Sequence, residues 1–300
     1  MLGTVLHTTF TMNCYPAGTS RATEGPRSWE LSSRAIDGFC TALLKAGYQP
    51  TLFATPECAG AHGPLLDDLA SSGVEVGLLI HPPSLEGAKL SKHFGQLPEQ
   101  QQRKVVQTSV QQFGDRMGYR PLSIRTALFS ANDSSFAVLS TFGFLQGSLS
   151  NPGRRMVKQG VAWTGALTDA HYTSATDRLT GGTLPLWELP VTSDAIQERG
   201  GVAPDLCIDS HVVQTWHRPL VDAQLQRMSS AGVTFRALCL YTRNAFSYER
   251  TDGPARTNLE HLITYLEELE SSYQICPLTL GAAHQAFHHL QKGEQRDAVG

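Results

Sequence analysis

The residues able to do chemistry in this sequence sit where apolar runs end. The run Thr4-Val5-Leu6-His7-Thr8-Thr9-Phe10 leads into Thr11, Asn13 and Cys14. A hydroxyl and a carboxamide bind through hydrogen bonds, and a hydroxyl near neutral pH does not take the proton of an attacking water as a carboxylate does. His81 follows the run Val74 to Ile80 and precedes two prolines. Imidazole is suited to proton transfer near neutral pH, but a polar group at a strand end also serves to satisfy the backbone. Arg125, after Leu122-Ser123-Ile124, offers a permanent forked cation whose competing role is that of a buried, hydrogen-bonded strut. Cys14 could act as a nucleophile with His7 or His81 as its base, yet no motif supports it, and a thiol without that support is inert. Asp209, His211 and His217 are ligand types whose spacing fits no metal motif. Walker loops, G-x-S-x-G elbows, Rossmann glycine fingerprints and H-E-x-x-H are absent, which sets aside the chemistries those motifs carry.

The elements that must position these residues alternate between short apolar strands and helix-period segments, the pattern of an α/β fold with a largely parallel sheet. Helices are predicted over 29–45, 64–72, 99–117, 133–141 and 258–271, with a further one after Arg218-Pro219. Strands are predicted over 4–10, 51–54, 74–80, 122–124, 186–191 and 235–241. The stretch 147–182, rich in Gly, Ser, Thr and Asn, is too long for a simple connection and reads as a functional loop or insertion. One domain is expected over 1–290, with a polar, frayed tail from Gln291 to Gly300. Of the 300 residues 41% are hydrophobic and 17% charged, enough apolar surface for a core. The net charge of −3, with Lys and Arg scattered, leaves no footprint for nucleic acid or anionic lipid. Cys14, Cys40, Cys58, Cys207, Cys239 and Cys276 form no Cys-x-x-Cys pair and are expected as reduced core thiols. With no signal-like leader and no apolar run near ~18 residues, the expectation is a cytoplasmic protein without a membrane span. Nothing in the sequence sets an oligomeric state.

Several segments, in order, resemble the polysaccharide deacetylase family (NodB-homology, carbohydrate esterase family four). Gly47-Tyr48-Gln49-Pro50-Thr51-Leu52-Phe53 is similar to its "G-x-x-A-T-F-F" strand, and Gly73-Val74-Glu75-Val76-Gly77 to its "G-H-E-I-G" segment. Ile124-Arg125-Thr126-Ala127-Leu128-Phe129-Ser130-Ala131-Asn132-Asp133 resembles "F-R-A-G-R-Y-G-A-N-D" of one branch. Phe142-Gly143-Phe144, Ser148-Leu149-Ser150-Asn151-Pro152-Gly153 and Leu186-Trp187-Glu188-Leu189-Pro190-Val191-Thr192 continue the likeness, which spans roughly Thr4 to Phe287. The resemblance implies a deformed (β/α) barrel with its site at the C-terminal strand ends. It also implies metal-assisted removal of an acetyl group from a sugar by an aspartate base beside a dication held by one aspartate and two histidines.

On the positions that match those motifs, Thr11 stands for the base and Asn13 for the metal-binding carboxylate. Leu79 stands for one histidine, His81 retains the other, and Thr242 stands for the late histidine that serves as acid. Arg125 keeps the place of an arginine that orients the base, so the resemblance leaves His81 and Arg125 as the expected catalytic residues and Thr11 and Asn13 as expected ligand contacts. One imidazole and one amide fall short of the three ligands a catalytic metal site needs. The expectation is a divergent, catalytically impaired member, with no cofactor, that binds or scaffolds an acetylated carbohydrate or acetylated small molecule. The alternative is an active hydrolase with a rebuilt site using His81, Asn13, Cys14 and Arg125, removing an acetyl group from an amino sugar or related amide; only that alternative calls for zinc. Trp163, Tyr172, Trp187 and Trp216 are candidates to stack on a sugar ring. Trp187, inside a strand, reads as core. Tyr172, in the long loop, and Trp216 are the expected binding aromatics.

Overall fold

The structure is a computed structural model and describes residues 4–18, 24–87, 89–195, 203–208 and 213–297. In chain order its elements are β1 (Thr4–Cys14), α1 (Trp29–Lys45), β2 (Thr51–Ala54), α2 (Pro56–Ser71), β3 (Glu75–Ile80), α3 (Glu99–Met117), β4 (Ser123–Thr126), α4 (Ser135–Thr141) and β5 (Gln146–Gly147). There follow β6 (Arg155–Met156), β7 (Val161–Ala162), β8 (His171–Tyr172), β9 (Trp187–Glu188), α5 (Arg218–Ser230), β10 (Ala237–Arg243), α6 (Pro254–Leu269), β11 (Tyr273–Pro277) and α7 (Leu280–Asp297).

The main sheet runs β10-β1-β2-β3-β4-β5-β9-β8, parallel except for the β8/β9 pair. Strand β1 is long enough to serve three neighbours. His7 pairs with both Ala237 and Cys276, and Thr11 with both Tyr241 and Thr51. One edge of β1 therefore carries β10, and the other is shared end to end by β11 and β2. Past β9 the chain bridges back to the far edge: Leu189 N–H donates to Gly147 O (2.9 Å), Val191 N–H to Ser150 O (3.0 Å) and Thr192 N–H to Cys239 O (3.0 Å). The sheet is thus curled into the deformed (β/α) barrel that the sequence resemblance implies. From Leu6 on, all but one of β1's residues are buried, as a parallel strand covered on both faces requires.

Helices α1 and α3 lie where the 3.6-residue periodicity puts them. Ser28 caps α1 by accepting from Leu31 N (3.2 Å), and Ala35, Ile36, Phe39, Cys40 and Leu43 form its buried stripe. Gly118, at φ 73°, ends α3 in a conformation that costs glycine nothing. Helix α2 differs from its expected start at Pro64. It begins at Pro56, where Thr55 Oγ1 accepts from Cys58 N (3.2 Å), and passes Pro64 through a kink at His62 (φ −124°, ψ 18°). Proline there breaks the helix locally instead of opening it. Helix α7 also continues through Asp297 where a frayed tail was expected, since Gln, Lys, Glu and Arg are good helix formers. Among the described residues no helix is long and apolar enough to cross a membrane.

Candidate functional site

Parallel pairing brings the ends of β1, β2, β3, β4 and β10 to one mouth, and a single side chain organises what lies beneath it. Arg125 is wholly buried. Its Nη1 donates to Thr11 Oγ1 (2.7 Å) and Asn13 Oδ1 (3.2 Å), Nε to Ser148 O (2.7 Å), and Nη2 to Ser148 Oγ (2.7 Å) and, weakly, Cys239 Sγ (3.9 Å). The guanidinium lies over the rings of Phe53 (4.4 Å) and Phe129 (5.3 Å). Every hydrogen-bond acceptor is neutral, and burial lowers the arginine's pKa.

Its counter-charge is Glu188, also wholly buried. Glu188 Oε1 accepts from Leu149 N (2.7 Å), Ser150 N (2.8 Å) and Ser150 Oγ (3.0 Å). The Ser148–Leu149 peptide therefore takes a hydrogen bond from Arg125 on its carbonyl and gives one to Glu188 from its N–H, an arrangement that polarises it between the two charges. Burial pushes the Glu188 carboxyl up to about 7, against the pull of those donors and of Arg125. Gly147 permits this approach, since a Cβ there would stand 2.5 Å from Leu149 Cδ1 and 3.1 Å from Glu188 Oε2.

The expected site residues are brought together at the mouth, with one exception, Tyr172. Thr11 donates to Leu240 O (2.8 Å) while accepting from Arg125, so its hydroxyl is fully engaged. Asn13 is 4% exposed and directs its amide oxygen at the cation. Leu79 pairs in register with Arg125, and Thr242, also buried, bonds to the Tyr248 hydroxyl. His81 is 7% exposed, with Nδ1 2.9 Å from Ser84 Oγ. Because Ser84 Oγ donates to His81 O (3.2 Å), the ring proton belongs on Nδ1 and Nε2 carries the lone pair. The ring stands edge-on to Tyr15 (5.5 Å) and 6.2 Å from His93. Burial and His93 lower its pKa to about 4, so it is neutral at pH 7.

Beside this group lies a second one, of which sequence reasoning named only Trp216. Asp205 Oδ2 accepts from Tyr241 OH (3.0 Å) and Asn151 Nδ2 (2.7 Å), while Arg154 Nη1 bonds Tyr241 OH (2.8 Å). Trp216 is half-buried and donates Nε1 to Asp205 O (3.1 Å), which fixes the indole beside the cluster. Phe129 ties the groups together, lying under Arg125 and Arg154 (5.5 Å) and edge-on to Tyr241 (5.0 Å). Leu128 and Phe129 hold φ of 59° and 62°, strain of roughly 1–3 kcal/mol each that concentrates at functional sites. Tyr15, His93, Glu24 and Arg243 complete the rim, the last two as an ion pair (2.7 Å). Of the described members that the sequence reading passes over, Glu188 alone carries a local signal, a carboxylate inside an apolar strand.

Tyr172 is the clear exception among the expected binding residues. It pairs with Trp187, at the start of β9, which itself pairs with Gln146 at the start of β5. Tyr172 therefore lies at the amino-terminal strand ends, across the barrel from His81. Trp163 is buried with Nε1 bonded to Phe129 O (2.7 Å), and Trp187 is core as expected. Cys14 is buried, and its thiol is pushed well up by burial and by Cys58, which leaves no nucleophile. His7 stacks on Phe235 (4.3 Å), and His217 is buried against Cys207 O (3.0 Å); Asp209 and His211 lie outside the described residues.

The donors at the motif positions do not fit a dication. Among the described residues no group of three His, Cys, Asp or Glu side chains is placed to hold a metal ion. The only oxygen at the ligand position, that of Asn13, already faces a guanidinium.

No family model and no curated protein matches the sequence. Solved structures do. A Mycobacterium smegmatis protein named as a polysaccharide deacetylase superposes with a TM-score of 0.62 at 15% identity, covering 96% of this chain and 92% of its own. The allantoinase PuuE gives 0.54 at 14% identity, covering 95% and 90%, and a Pseudomonas aeruginosa PAO1 protein, also named as a polysaccharide deacetylase, 0.52 at 13%, covering 95% and 91%. The chain has the NodB-type fold of the polysaccharide deacetylases, carbohydrate esterase family four.

Proposed function

We propose that this chain binds an acetylated carbohydrate, or a related acetylated small molecule, at the strand-end mouth without metal-assisted hydrolysis. The observation that carries the reading is the bonding of Arg125 to both Thr11 and Asn13. A dication at about 4 Å from that guanidinium would meet a repulsion of about 8 kcal/mol at an effective dielectric of about 20, with no carboxylate ligand to offset it. The base position is filled by a hydroxyl whose proton is given to Leu240 O. Such a mouth keeps what recognition needs. His81 Nε2 offers a neutral acceptor for a sugar hydroxyl or amide N–H, Trp216 an indole face for a pyranose, and the neighbouring Arg154 a cation. The names of the structural relatives support a carbohydrate as the ligand class, while the allantoinase cautions that one fold serves several chemistries.

Calorimetric titration with N-acetylated chito-oligosaccharides tests the reading, paired with an enzymatic assay for acetate. Binding is expected, weakened about tenfold or more by His81→Ala, with no acetate released. The competing reading, an active hydrolase with a rebuilt site, rests on the lone pair of His81 Nε2 beside His93. It requires acetate release that disappears in His81→Ala.

A further inference from the structure

A cavity of about 660 Å3 opens at the opposite end of the barrel, between the starts of β4 and β5, the chain at 182–185 and helix α7. Its walls are Leu122, Leu145, Leu184, Pro185 and the Tyr172 ring, and two of these aliphatics are unusually open, Leu122 at 48% and Leu145 at 42% exposure. Large aliphatic side chains set side by side in water mark a binding surface more often than lone exposed ones do.

The polar groups of the cavity are ordered. His284, His288 and Lys292 recur every four residues along one stripe of α7. Ser123 Oγ donates to Glu75 Oε1 and accepts from Gln146 Nε2 (2.7 Å). Gln146 Oε1 lies 3.1 Å from His284 Nδ1, so that nitrogen carries the proton and His284 Nε2 the lone pair. The His284 ring is stacked on Trp187 at 5.3 Å. Burial and His288 lower its pKa to about 4, which keeps it neutral. Tyr172 OH, 3.4 Å from His284 Nε2, then donates to it, and its oxygen is left to accept from His288 Nδ1 (3.2 Å). Every bond in this chain points toward Glu75, and the edge turned to the cavity is His288 Nε2. Lys292, one turn further along α7, also lines the cavity, and no described residue lining it is acidic.

We propose that this cavity is a second site, for a small carboxylic acid with an apolar body. The apolar part lies against Leu122, Leu145 and Leu184. The carboxylate lies at the α7 end of the hollow, against the Lys292 ammonium. The volume suits a molecule of this size, and the charges are complementary: a cation at one end of an apolar hollow whose described lining holds no carboxylate. The chain of hydrogen bonds fixes the Tyr172 and His288 rings in the wall, so the site is formed before the ligand arrives.

The test uses 4-phenylbutyrate and its neutral counterpart 4-phenylbutanol, titrated into the full chain and followed by leucine-methyl NMR. The expected result is saturable binding of the acid, with shifts centred on Leu122, Leu145 and Leu184, and weaker binding of the alcohol. Lys292→Gln, at an exposed position, is expected to weaken the acid about fivefold. Leu122→Trp, which fills the hollow from its exposed wall, is expected to abolish binding while the far-UV circular dichroism stays unchanged. Equal binding of acid and alcohol, binding indifferent to both variants, or no binding at millimolar concentration overturns the proposal.

Discussion

Replacing Glu188 by Gln removes the one charge that answers Arg125 in the barrel interior, and the consequence is measurable as a pH dependence. The carboxyl is wholly buried and its pKa rises from 4.5 to about 7. A carboxyl whose folded pKa lies above its unfolded one binds more protons folded than unfolded between those two values, so stability falls as pH rises through that window. At about 1.36 kcal/mol for each pKa unit, the ionised carboxyl costs the fold about 3 kcal/mol at pH 8 relative to pH 4. The substituted carboxamide cannot ionise, yet its oxygen can accept from Leu149 N and Ser150 N as Oε1 does. Its NH2 meets the place where Oε2 finds no partner, a cost that is the same at every pH and cancels from the comparison. Urea denaturation of both proteins from pH 4.5 to 8 should show the stability difference moving about 3 kcal/mol in favour of Glu188→Gln as pH rises. Parallel curves would refute the assignment of a displaced titration to Glu188. Movement in the opposite direction would mean that its charge is a net stabiliser of Arg125.

Other expectations follow from the same interior. Arg125→Lys keeps the charge but replaces a five-bonded fork with an ammonium, leaving at least one of Thr11, Asn13 and Ser148 without its donor; a loss of about 2–4 kcal/mol is expected by urea denaturation. Wild-type stability in Arg125→Lys would show that the fork is not needed. With Cys14, Cys40, Cys58, Cys207 and Cys239 buried, only Cys276 should react quickly with Ellman's reagent in the native protein. A Cys276→Ser variant should then show no fast phase, and a fast phase surviving in it would place a second thiol at the surface.

How much of this was legible in the sequence varied with how local the cause was. Helices α1 and α3 announce themselves through a buried stripe and a glycine stop, so their bounds were found directly. Helix α2 was read from Pro64 because a proline usually opens a helix, while its start was set further upstream by the Thr55 cap. The mouth residues Thr11, Asn13, His81 and Arg125 are named together because they fall on the motif positions of the family that the sequence resembles, and strands of a parallel sheet end on the same side. Tyr172 was misplaced because its partner strand is antiparallel and carries it to the other end, a pairing no local pattern encodes. Arg154, Asp205 and Tyr241 come from two loops and a strand, and meet only through the closure of the barrel by the chain between β9 and β10.

The central claim is that the mouth organised by Arg125 does not hold a dication. Elemental analysis after equilibrium dialysis against zinc, on the wild-type chain and on His81→Ala, tests it most directly. The account predicts that neither protein retains stoichiometric zinc and that the two are indistinguishable. A stoichiometric ion in the wild-type chain, lost in His81→Ala, would contradict it.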